Sequence, residues 1–100
     1  MGNVSRPMPD LSMYVPLIDD FLARRLAEKE FVSEYMRRFK NDQRMLDDQW
    51  FDVLNDIFLD SDEYVDEPRL RTGDQFEIDE HQLRERVQAS RHKLRGLGAG

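Results

Sequence analysis

Aspartates recur at every fourth position along one stretch of this 100-residue chain: Asp48, Asp52, Asp56 and Asp60. Asp62, Glu63, Asp66 and Glu67 follow directly, with Tyr64 among them. In a helix, a four-residue step keeps side chains on one slanting row about 6 Å apart. Carboxylates so spaced could ligate a metal, exchange protons or meet a basic surface. The window from Asp47 to Glu80 holds thirteen acids against two bases, Arg69 and Arg71, a net of −11. The remainder carries 13 bases against 8 acids, so the overall charge of −6 conceals a segregated molecule.

The metal reading fails on spacing. An EF-hand loop starting at Asp60 would have Asp62 in place, but it needs a glycine where Val65 stands and a bidentate glutamate where Arg71 stands. A two-metal hydrolase needs carboxylates converging from several elements, whereas these follow one another on a helix and its exit. His81 and His92 are eleven residues apart with no third ligand at metal spacing. Ser33, Ser61, Thr72 and Ser90 lack the glycine elbow or neighbouring histidine of an activated nucleophile. There is no glycine-rich phosphate loop. No enzyme, metal or cofactor is expected.

What remains is contact. Each like-charge pair four apart costs a helix about 0.2–0.5 kcal/mol, and the C-terminal end of the dipole disfavours Asp56 and Asp60 further. A row retained against that cost points to a basic partner, with Asp52, Asp56, Asp60, Asp62, Glu63, Tyr64, Asp66 and Glu67 as the binding residues. The alternative is internal neutralisation by Arg24, Arg25 or the bases of the last helix. Tyr64 has two readings, an aromatic anchor in the interface or a lid on the core.

The elements that position these residues follow from periodicity. Residues 1–11, with Gly2, Pro7 and Pro9, read as a flexible arm, and residues 12–95 as one helical domain. Leu17, Ile18, Phe21, Leu22 and Leu26 mark the first helix, which starts at Ser12 or just after it because Pro16 is tolerated in a first turn. Phe31, Val32, Tyr35, Met36 and Phe39 mark the second. Asp47 caps the third, whose Trp50, Phe51, Val53, Leu54, Ile57 and Phe58 form one apolar arc nearly opposite the aspartates. A long acidic loop with a Thr72-Gly73-Asp74 turn leads to the fourth. There Asp79 and Gln82 form a capping-box pattern, and Ile78 and Leu83 are spaced as a hydrophobic staple. Leu83, Val87 and Leu94 give this helix a thin apolar stripe, with Arg84, Arg86, Arg91, Lys93 and Arg95 clothing its outside. Residues 96–100 read as a flexible glycine-rich tail. The expected fold is all-α, a single-domain antiparallel four-helix bundle with a long acidic loop between helices three and four.

Composition narrows the setting. The absence of cysteine suits a reducing compartment, no apolar run is long enough to span a bilayer, and the N-terminus lacks a secretory pattern. A cytoplasmic location is expected, with neither a membrane nor a nucleic acid as direct partner, since phosphate contacts need clustered Lys and Arg.

The order "LIDDFLARRL…EFVSEYMRRF", an acid-bearing third helix, the exit "DSDEYVDEP" and the opening "EIDEHQLRERV" resembles the colicin D type of bacterial immunity proteins, in the colicin-like self-protection family. The resemblance extends over roughly Leu17 to Leu94. Its most specific piece is Phe76-Glu77-Ile78-Asp79-Glu80 with Leu83, Arg84 and Val87. Related proteins accompany toxins of contact-dependent growth inhibition systems. The resemblance implies a four-helix bundle that neutralises the nuclease domain of a cognate toxin, a tRNase in the colicin D case, in a one-to-one complex. It also implies that acids enter the toxin's basic cleft, and it carries over to Asp62, Glu63, Asp66 and Glu67. Asp52, Asp56 and Asp60 rest on the helical row alone. The competing reading is an acidic adaptor or regulatory module docking on another basic protein, without a toxin.

Overall fold

The computed structural model describes residues 9–64 and 78–99. Four helices, α1 (Val15–Leu22), α2 (Glu28–Asn41), α3 (Asp48–Glu63) and α4 (Glu80–Leu97), form a single-domain bundle. Each helix packs on its neighbour in sequence, and α4 returns against α1 to close the ring. No strand is present among the described residues; an isolated parallel bridge joins Tyr64 to Ile78. The expected Thr72-Gly73-Asp74 turn, with Asp66 and Glu67, lies outside them.

The periodic apolar positions supply the core. Leu17, Ile18 and Phe21 of α1, Phe31 and Tyr35 of α2, Val53, Leu54 and Ile57 of α3, and Leu83, Val87 and Leu94 of α4 are buried together. Aromatic rings run through them as a column. Phe21 stacks on Phe31 with centroids 4.3 Å apart, Phe31 meets Tyr35 at 5.6 Å, and Tyr35 meets Phe39 at 6.2 Å. The Tyr35 hydroxyl donates to the Leu54 carbonyl at 2.7 Å, so the buried phenol is satisfied across the α2–α3 contact.

Helix ends account for most departures from the periodic pattern. Within the expected range, α1 starts after Ser12, at Val15, because Ser12 to Tyr14 form a turn. There the Ser12 N–H donates to Asp10 Oδ1 and the Tyr14 and Val15 N–H groups donate to the Leu11 carbonyl, each at 2.9 Å. Leu11, assigned to the arm from composition, is buried in the core. At the other end of α1, the Arg24 N–H donates to Phe21 O and the Arg25 N–H to Asp20 O, the paired bonds of a Schellman motif. Arg24 takes the left-handed conformation that this motif requires, with φ of 64°. The matching bonds at the end of α4 run from Gly98 to Arg95 O and from Ala99 to Leu94 O, with Gly98 left-handed. Gly96 does not stop α4, which continues to Leu97 and leaves Ala99 buried. Asp47 occupies the N-cap position of α3 without a side-chain bond to the first turn. Asp79 and Gln82 do close their capping box, at 2.8 and 3.0 Å.

The main correction concerns the bases of α4. Arg84 and Arg91, expected on its outside, face α1. The Arg84 guanidinium lies 4.3 Å from the Phe21 ring centroid and donates to the Phe21 carbonyl and, at 2.7 Å, to Glu28 Oε1. Arg91, 3% exposed, donates to Asp19 Oδ1 at 2.8 Å and to the Ala99 carbonyl at 2.6 Å. The reason is positional: 84, 87, 91 and 94 share one helical face, and the thin stripe of Val87 and Leu94 leaves room for guanidinium groups between.

A second polar knot ties the N-terminal turn to the α2–α3 connection. Asp42 accepts from the Tyr14 hydroxyl at 2.7 Å and from Arg44 Nε and Nη2, both at 2.9 Å, while Arg44 Nη1 donates to the Asp10 carbonyl. Arg44 beside it holds the Asp42 carboxyl well below the usual range.

Two stability predictions follow from these ends and pairs. Arg24→Gly relieves a left-handed side-chain-bearing residue and is expected to stabilise the protein by about 1 kcal/mol in urea denaturation, whereas Arg24→Val destabilises it. Asp19→Ala leaves the Arg91 charge buried. The expected loss is about 2 kcal/mol, less than for a fully buried pair because the Asp19 side chain is 41% exposed.

Candidate functional site: the outer face of α3

Trp50, Val53, Leu54, Ile57 and Ser61 turn one side of α3 into the bundle. The opposite side therefore carries the aspartate row to solvent. Asp48, Asp52, Asp56 and Asp62 are exposed. Among the described residues, none supplies a salt bridge to these four.

The C-terminal end of the row is different. Arg86 of α4 places Nη1 3.3 Å from Asp60 Oδ1 and 3.1 Å from Glu63 Oε2. Internal neutralisation by the last helix is thus present here and limited to these two acids; Arg25 pairs instead with Asp20, at 3.1 Å. Burial raises the Asp60 carboxyl above its ordinary value of 3.8, and the nearby Arg86 offsets this only in part. The row is graded, with compensated acids where the dipole is unfavourable and uncompensated ones in the middle of the helix.

Tyr64 caps α3 at its C-terminus and is half-buried, packed against the core. Its placement corresponds to the lid reading of that ring. The Ile78 N–H donates to the Glu63 carbonyl at 3.1 Å, which with the Tyr64–Ile78 bridge holds together the two ends of the segment containing Asp66 and Glu67. These two acids are outside the described residues.

Two residues of this face were absent from the sequence reading of the site. Phe51, placed in the core by its position in the apolar arc, is 43% exposed, and Leu59 is 47% exposed. The signal was the spacing: 51, 55 and 59 form a four-residue row adjoining the aspartates, off the centre of the buried face.

Among the described residues, no group of three or more His, Cys, Asp or Glu side chains is placed to hold a metal ion. His81 is highly exposed, with Nε2 3.4 Å from Glu85 Oε1 on its own helix. No described helix is long and apolar enough to cross a membrane.

A small helical bundle whose outer α3 face displays acids to which no described residue forms a salt bridge has the layout of a binding scaffold. Residues 10–94 match the family model described as bacterial self-protective colicin-like immunity, and the chain belongs to that family. No curated protein and no solved structure matches the chain. Membership makes it an immunity protein, whose partner is a cognate toxin.

The pH dependence of Asp60 tests the grading of the row. A carboxyl whose native pKa lies above its unfolded value binds its proton more readily in the folded chain, so stability falls as pH rises through that window. Asp60→Asn removes this loss and the repulsion from Asp56. The expected gain is about 0.2–0.5 kcal/mol at neutral pH, shrinking toward about pH 4, in urea titrations across that range.

Proposed function

We propose that this immunity protein inhibits a nuclease toxin of the colicin D type, a tRNase, by seating the outer face of α3 in the toxin's basic substrate cleft. The observation that carries the reading is the exposed set Asp52, Asp56 and Asp62, to which no described residue forms a salt bridge, on a helix whose opposite side is core. A rigid helix presents Asp48, Asp52, Asp56 and Asp60 at steps of about 6 Å, an anionic track in place of a phosphate backbone, with Asp62 standing to one side of it. Asp60 and Glu63 extend the track with part of their charge already answered by Arg86. The reading also takes in Asp66 and Glu67, which the family resemblance adds, and the solvent-facing part of Tyr64 at the end of α3, and one toxin domain occupies one immunity protein. The field of the face draws a cationic toxin in before RNA reaches the cleft, and occlusion keeps the substrate out. The same arrangement serves a toxin of a contact-dependent growth inhibition system. The protein acts in the cytoplasm, where a tRNase finds its substrate.

The test uses the purified toxin domain encoded beside the immunity gene. Asp52→Lys combined with Asp56→Lys leaves the helical far-UV spectrum intact and is expected to lower the association rate at low salt by at least about tenfold, with loss of nuclease inhibition. An unchanged association rate would sink the reading.

A further inference from the structure

The outer face of α3 is not purely anionic. Phe51, Asn55 and Leu59 form a second row at four-residue steps, one position behind Asp52, Asp56 and Asp60. Leu59 lies about 160° around the helix from the buried Ile57, where an apolar side chain contributes nothing to the core. Phe51 contributes a little, and its setting is informative. Its ring centroid is 5.9 Å from that of Phe39, which in turn stacks on Phe58 at 5.0 Å and meets Tyr35 below. The exposed edge of Phe51 is therefore the tip of the buried aromatic column, held in place before any partner arrives.

Single apolar side chains on a surface need no explanation. Two on one row, among carboxylates, with one ring fixed from beneath, have the layout of an interface centre. Ordering costs are already met for such a ring, and a charged rim excludes water around it. On the α2 side, Lys40 Nζ sits 5.9 Å from the Phe58 ring centroid, so cations of a partner are directed to the aspartate side.

The geometry points to Phe51, Asn55 and Leu59 as the apolar centre of the toxin-binding surface, with Asp48, Asp52, Asp56 and Asp62 as its rim. The occupant it fits is a toxin segment that presents an apolar side chain flanked by lysine or arginine. This rests on the reading of the partner as a basic toxin. A cleft lined by cations alone would bury charge against Phe51 and Leu59 and leave it unpaired. An arginine can instead lay its plane on the Phe51 ring and reach the adjoining Asp52 or Asp48, satisfying both rows.

The two rows then divide the work. Exposed acids govern the association rate and its salt dependence, and the desolvated apolar row governs how long the complex lasts. Binding kinetics against the same toxin domain, at low and high salt, separate them. Leu59→Ala removes no ring contact and is expected to speed dissociation about tenfold, with association unchanged within about twofold and the same salt slope. Phe51→Ala is expected to act likewise, with its urea midpoint measured in parallel because it also loses Phe39.

Dissociation of Leu59→Ala at the wild-type rate overturns the inference; if Asp52→Lys with Asp56→Lys still loses association, the phosphate-mimic reading survives it. Fast dissociation of Leu59→Ala with normal association of the double Lys variant upholds the apolar row as a contact but overturns its acidic rim and cation-flanked occupant, together with phosphate mimicry. Failure of the wild-type protein to bind the toxin domain overturns both.

Discussion

The aromatic column is the constraint on which the rest of this structure depends. It begins where Phe21 lies nearly parallel to Phe31, passes Tyr35, and divides at Phe39 onto Phe58 and Phe51. Three helices contribute to it, so their relative positions are set by stiff rings with two rotatable bonds each. Such pairs add about 0.5–1.5 kcal/mol beyond the area they bury. For a domain of 100 residues, whose net stability is of the order of 10 kcal/mol, that is a substantial share. Burial holds the Tyr35 phenol far above its ordinary range, and its hydroxyl donates to Leu54 O, so the column carries no charge into the core.

Because α4 contributes no ring to this column, it attaches differently. Leu83, Val87 and Leu94 are its buried aliphatics, and Arg84 and Arg91 complete the contact by reaching across to α1. Arg86 reaches the other way, to the end of α3. Three of the cations that might have offset the acids over the whole molecule are thus committed to particular places. The net potential outside the bundle is decided by which acids those arginines leave over. Among the described residues, Asp52, Asp56 and Asp62 are left over because they lie on the side of α3 turned away from the core, while Arg86 reaches Asp60 and Glu63.

Much of the fold was legible because its signals were local. The capping box of Asp79 and Gln82 needs only four residues to be recognised, and the apolar arc of α3 needs only the helical period. The inward turn of Arg84 and Arg91 was not legible, since an arginine on a thin apolar stripe reads as surface until α1 and α2 supply the Asp19 and Glu28 carboxylates and the Phe21 and Ala99 carbonyls come within reach. Leu11 was obscured by the prolines before it, and the persistence of α4 through Gly96 by the weight given to glycine as a stop. The site was legible as charge. The aspartate row is a sequence pattern, but the exposure of Phe51 depends on how far α2 covers that side of α3, which is a tertiary fact.

Stability and the site pull in opposite directions along α3, and the arrangement of counter-charges shows where the conflict is resolved. Near the N-terminus the helix dipole favours Asp48, so an acid there costs little. At the C-terminus the dipole opposes Asp60 and Glu63, and there Arg86 stands against both. Between the two ends no cation of the described residues forms a salt bridge to Asp52 or Asp56, and their repulsion is carried by the core beneath them. A surface under selection for stability alone would place its cation at the middle of the row, where one residue could answer two carboxylates. Arg86 instead offsets part of the penalty at the end of the row and leaves its centre charged, beside the exposed side chains of Phe51 and Leu59.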